Sequence, residues 1–198
     1  MKTLTQKILD SYNPCYPASR YYGEDYKGDI LQLAQDPRIP FEDRLWVIMR
    51  PELVSDKLMR LFAVWCARQV RRNNQDPRVK RALDVAVAYV FGEATEEQLA
   101  EASKGACNAA LAADKAAYSA AVSAADATDS VAPVADSADS IAHVAYSAAY
   151  NAARSVAYSA SGTFYSDEFL AAFVGAQKAQ EKQLIAMILA GVETGDVK

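Results

Sequence analysis

From about residue 29 onward, apolar positions along this chain recur with the period of a helix. Leu58, Leu61, Phe62, Trp65 and Cys66 fall at i, i+3, i+4, i+7 and i+8, the stripe that an amphipathic helix turns toward a core. That stripe closes among Arg68, Arg71 and Arg72, cations suited to the negative end of a helix dipole. Asp76 before Pro77 reads as an N-cap with proline in the first turn. Val79, Leu83, Ala86, Val87 and Val90 keep the spacing until Gly92 stops it. Thr95 with Gln98 fits a capping box that opens the next helix. Near the end, Phe169, Leu170, Phe173, Val174, Leu184, Ile185, Ile188 and Leu189 trace one more apolar face. These signals predict helices over 56–72, 77–91, 96–127, 131–160 and 167–190.

The first 55 residues are more broken. Short helices are expected over Lys2 to Ser11, around Ile30 to Ala34 and over Phe41 to Arg50, interrupted by Pro37, Pro40 and Pro51. Tyr12 to Pro17 is turn-rich, and Tyr16, Tyr21, Tyr22 and Tyr26 give an aromatic density suited to a segment lying over a core. The organisation predicted is one domain: an N-terminal segment (1–55) packed on a helical bundle (56–192), with a flexible tail (193–198).

Composition changes this picture in one respect. Of 198 residues, 39 are alanine, so a hydrophobic fraction of 52% overstates the bulk available for a core. Alanine has the best helix propensity, but each buried methyl contributes only about 0.8 kcal/mol. Within roughly 106–160, doublets such as Ala109/Ala110, Ala116/Ala117 and Ala124/Ala125 step by three or four and cover one arc. Ala138, Ala145, Ala149 and Ala152 form a second seam, on a helix that Ser130 caps with Pro133 in its first turn. The fold class that follows is all-α, an antiparallel multi-helix bundle in which two long alanine-rich helices pack at close range.

Charge is unevenly spread. Residues 1–92 hold 15 Lys/Arg against 11 Asp/Glu, and residues 93–198 hold 6 against 14, for a net charge of −4 overall. An acidic balance speaks against a general nucleic-acid binder, and the acidic half is too dilute to imitate a DNA duplex. No apolar run reaches membrane-spanning length, no export signal is visible in the first residues, and three cysteines, an odd number, argue for reduced thiols. A cytoplasmic protein without membrane partner is expected.

Candidate chemistry concentrates on the second alanine-rich helix. At about 100° per residue, Asp136, Asp139, Ser140, His143, Ser147, Tyr150 and Arg154 fall within about 60° of one line, opposite the alanine seam. Three readings stand: a solvated face; a partner-binding face with Tyr150 and Arg154 as interface anchors; or a small-ligand or metal site using Asp136, Asp139 and His143. The chain has a single histidine, which leaves catalytic cysteine or serine with one candidate base and leaves no cofactor motif to bind a phosphate or a metal. Arg71, Arg72 and Arg78, with Arg68, Lys80 and Arg81, form a basic corner that is either solvated or open to an acidic partner. No catalytic residue and no cofactor are expected.

The block Phe62-Ala63-Val64-Trp65-Cys66-Ala67-Arg68, then Asp76-Pro77-Arg78, Ala82, Asp84, Ala86, Tyr89 and Gly92-Glu93-Ala94-Thr95, precedes a long Ala/Ser/Tyr/Asp tract. Together they resemble the alanine-rich immunity protein family of bacteriophages and bacteria, over roughly Asp29 to Ile188. The tract has fewer tyrosines and more serine and aspartate than the commoner pattern. The resemblance implies an all-helical, non-enzymatic, phage-encoded immunity or anti-defence protein whose partner is a bacterial toxin, nuclease or antiviral factor. It transfers no catalytic residue. A second copy of the chain also stays open as a partner.

Overall fold

A computed structural model describes residues 3–12, 20–21, 26–50, 52–111, 115–129, 138–161, 163 and 166–191. Among them the chain forms nine α-helices: α1 (Gln6–Ser11), α2 (Ile30–Gln35), α3 (Phe41–Ile48), α4 (Asp56–Val70), α5 (Pro77–Val90), α6 (Glu96–Leu111), α7 (Lys115–Asp129), α8 (Ala138–Ser161) and α9 (Asp167–Leu189). Leu4–Thr5 and Lys27–Gly28 pair as a two-residue antiparallel ladder, β1 and β2. The all-α bundle read from the periodicity is the architecture found.

Local chemistry sets the helix ends. Ser55 and Ser166 accept from Leu58 and Phe169 N–H at 3.2 and 3.0 Å, opening α4 and α9. Asp76 accepts from Arg78 N–H at 2.9 Å with Pro77 beside it, and Thr95 and Gln98 exchange the two bonds of a capping box, 2.8 and 3.3 Å. A second capping box joins Asp29 and Gln32. At the end of α5, Gly92 takes φ +75°, a conformation that costs a residue without a side chain little. The last turn of α4 tightens into a 3-10 turn, Arg71–Asn73.

Helix α4 is the hub, in contact with α5, α7, α8 and α9. Met59, Leu61, Phe62, Ala63, Val64, Cys66 and Ala67 are all fully enclosed. Trp65, which the spacing places in the core, is only partly buried and stacks on Phe62 at a 6.5 Å ring separation. Residue pairs fix the directions. Arg68 meets Asp84 while Lys57 lies over Phe91, so α4 and α5 run antiparallel. Arg81 meets Glu101 while Arg78 touches Gly105, so α5 and α6 do likewise. Tyr150 meets Phe173 and Tyr158 meets Phe169, which makes α8 and α9 antiparallel.

The helix predicted over 96–127 is two helices, α6 and α7, which pack on each other. As one rod it would run about 48 Å at 1.5 Å per residue. Folding it back lets α7 reach the hub while α6 packs on α5 and α7. The most extensive contact joins α7 to α8. Ala120, Ala124 and Ala127 of α7 and Ala145, Ala148, Ala149 and Ala152 of α8 are all buried, so the seam read from the sequence is internal. Ser123 adds a buried hydrogen bond to the carbonyl oxygen of Ala148, 2.8 Å. Ala138 as a side chain, Ser130, Pro133 and the tail lie outside the described residues.

The N-terminal segment shares this core, since Leu4, Leu9, Ile30, Leu33, Phe41, Leu45 and Ile48 belong to the same buried cluster as α4. It is fastened on α9 by polar contacts. Arg44 reaches Glu181, and Gln177 donates to Glu42 at 2.7 Å.

Candidate functional site

The polar stripe predicted on α8 does not face solvent as one strip. Ser147 and Asn151 each donate to Asp126 Oδ2 of α7 at 3.0 Å, so that side of the stripe is folded against its neighbour. A buried polar group must find a partner, and here the alanine-rich pair supplies its own. His143 is exposed. Asp139 lies in α8, with its side chain, like the whole of Asp136, outside the described residues. Among the described residues no group of three His, Cys, Asp or Glu gathers as a metal site would require.

Tyr150 and Arg154 belong instead to an aromatic cluster shared with α9. The Arg154 guanidinium lies 5.7 Å from the Tyr150 ring centre and 5.6 Å from that of Tyr158, and donates to the Tyr158 hydroxyl at 3.2 Å. Tyr150 stacks with Tyr146 at 6.5 Å and meets Phe173 edge-on at 5.8 Å, and Phe173 stacks on Phe169 at 6.2 Å. Burial raises the Tyr146 phenol pKa, and the carboxylates of Glu42 and Asp43 add to it.

Two α9 residues extend this cluster to the surface. Leu170 is 47% exposed and Val174 46%, although the periodicity assigns both to the core, as it does Leu189 at 63%. With Tyr150 at 38%, they leave three large apolar side chains exposed on the stretch of α8 and α9 where the ring stack packs. Isolated exposed leucines are ordinary, but an apolar pair beside an exposed tyrosine on packed aromatics has the composition of an interface. Sequence reasoning found Tyr150 and Arg154 by residue type. It missed Leu170 and Val174, because α9 is apolar around most of its circumference and spacing alone did not say which arc faces inward.

The basic corner is largely neutralised. Arg78 holds Asp76 through Nε and Nη2 at 2.9 and 2.6 Å, and those bonds pull the Asp76 carboxyl below its ordinary range. Lys80 meets Asp84 at 2.5 Å and Arg81 meets Glu101 at 3.1 Å. Arg71 and Arg72 stand exposed on the 3-10 turn that follows α4. A shallow groove lies elsewhere, lined by Thr3, Lys27, Gly28, Asp29 and Gln32, but Asp29 and Gln32 are already committed to capping α2. No helix among the described residues is long and apolar enough to cross a membrane.

Fold and surface thus define an all-α bundle with an apolar, aromatic-backed patch at the α8–α9 boundary. No family model, curated protein or solved structure matches the chain.

Proposed function

We propose that this is a non-enzymatic protein-binding protein, phage-encoded, which neutralises a bacterial toxin, nuclease or antiviral factor by covering part of its surface in the bacterial cytoplasm. The observation that carries the reading is the exposure of Tyr150, Leu170 and Val174 on the stretch of α8 and α9 where the Phe173 and Phe169 rings pack. Tyrosine and arginine are the residue types that most often dominate interface energetics, and a ring stack lets Tyr150 bind without first being ordered. The resemblance to alanine-rich immunity proteins supplies the class of partner. Arg71 and Arg72 supply a second, electrostatic contact for an acidic partner.

The experiment is a quantitative capture. A tagged protein is exposed to lysate of the bacterial host, the captured protein is identified, and its affinity is measured by titration against wild type and Leu170→Asp. The reading expects an affinity at least about tenfold weaker in the variant, a loss of about 1.4 kcal/mol. Equal affinities would remove the patch from the binding surface. Turnover of a nucleotide or peptide by the pure protein would replace binding with enzymology.

A further inference from the structure

Helix α9 carries a second surface, turned away from the aromatic patch. Its inner side buries Phe169, Gln180, Leu184 and Met187. On the outside, Glu168, Ala171, Gly175, Ala179 and Lys182 are all exposed. At about 100° per residue these five fall within about 40° of one line, and Phe173 lies far round the helix from it. Their spacing is symmetric: Ala171 and Ala179 stand four residues either side of Gly175, and Glu168 and Lys182 seven either side. The sizes mirror each other about Gly175, and the charges are opposite.

We infer that the outer face of α9 is a two-fold interface between two copies of this chain, packed antiparallel about Gly175. A two-fold contact must match a surface to its own reverse. Laid antiparallel, Glu168 of one copy meets Lys182 of the other, twice, each about 10 Å along the axis from the centre. A parallel arrangement would set Glu168 against Glu168 and Lys182 against Lys182. The centre is open to a close approach, since a Cβ built on Gly175 meets nothing within 4 Å. One helix pair buries less than the roughly 1,600 Å² of a standard interface, so the dimer is weak and reversible.

Sedimentation equilibrium from micromolar to near-millimolar protein tests this. Wild type moves from monomer to dimer mass across the range. Gly175→Leu raises helix propensity and sets its Cβ in open space on an exposed face, so it keeps a full helical spectrum while its dimer dissociates at least about tenfold more readily. Lys182→Glu weakens the dimer, and the exchanged double variant Glu168→Lys/Lys182→Glu restores it. The inference is overturned if wild type stays monomeric throughout, if Gly175→Leu dimerises like wild type, or if the exchanged variant is no tighter than Lys182→Glu alone.

Discussion

Arg44 and Glu181 lie 137 positions apart and meet in a two-pronged ion pair, Nη1 to Oε1 at 2.8 Å and Nη2 to Oε2 at 3.1 Å. Arg44 is 5% exposed, donates also to the Ala34 carbonyl, and rests over the Phe41 ring at 5.7 Å. One side chain therefore ties α2 and α3 to α9. Removing one member of an enclosed pair costs about 3–5 kcal/mol because the other is left uncompensated. Glu181 keeps some solvent, its side chain 26% exposed, so Arg44→Ala is expected to lose about 2–4 kcal/mol. The check is the urea midpoint. Arg44→Met/Glu181→Leu should recover much of the loss, since both charges leave together.

Phe62, fully enclosed, and Trp65, partly exposed, stack on one another, and their truncations should separate. Phe62→Ala is expected to cost about 3–5 kcal/mol, and Trp65→Ala about half of that. Chemical denaturation of the two variants measures it. The reverse order would mean that α4 is rotated from the placement described.

The alanine seam should reject bulk. Ala124→Leu and Ala148→Leu, on opposite sides of the α7–α8 contact, are each expected to cost about 1–3 kcal/mol or more by overpacking. Ala160→Leu, on the exposed end of α8, should be nearly neutral. Melting temperatures of the three variants decide between a tight seam and a slack one.

How much of this was legible beforehand differs by element. Caps spoke clearly, because Asp76-Pro77 and Thr95 with Gln98 act over three residues and need no tertiary partner. The α4 stripe was legible from its helical spacing, except that the unbroken run Leu61 to Ala67 hid which side Trp65 takes, and it is only partly buried. Alanine-rich helices were harder: a methyl suits core and surface alike, so nothing in 96–127 marked the break between α6 and α7. The α8 stripe misled for another reason. Ser147 looks solvated on a wheel, yet a helix hemmed in by α4, α7 and α9 can bury a polar group when a neighbour offers an Asp126.

Thiol chemistry should distinguish Cys66 from Cys107. Cys66 is fully buried, and burial pushes its thiol pKa well above the ordinary value, whereas Cys107 is exposed. Iodoacetamide should label Cys107 in the native protein and Cys66 only after unfolding, as read by peptide mass mapping. Labelling of both at similar native rates would show that α4 opens readily.

Alkaline pH should loosen the junction of α3 with α8. Burial, then the nearby Glu42 carboxylate, raises the Tyr146 phenol above its ordinary value of 10.0, so the folded chain holds that proton more tightly than the unfolded one. The contribution is whole below that value and fades as the pH climbs through the raised pKa. Tyr146→Phe should therefore flatten the fall of stability above about pH 10. An unchanged slope in denaturant titrations would place the alkaline sensitivity elsewhere, with Tyr12 next, which burial raises in the same way.

The methyl-lined contact between α7 and α8 also bears on heat. Ordinary domains gain roughly 12–15 cal/mol/K per residue on unfolding, chiefly from newly wetted hydrocarbon, with peptide groups acting in the opposite direction. Where two helices meet through alanine, the surface released is poor in hydrocarbon and rich in peptide. The heat-capacity increment should then be low for a chain of this length, and the curve of free energy against temperature correspondingly shallow. Such a protein would keep nearly constant stability over a wide span of temperature, and cold denaturation would recede to lower temperatures.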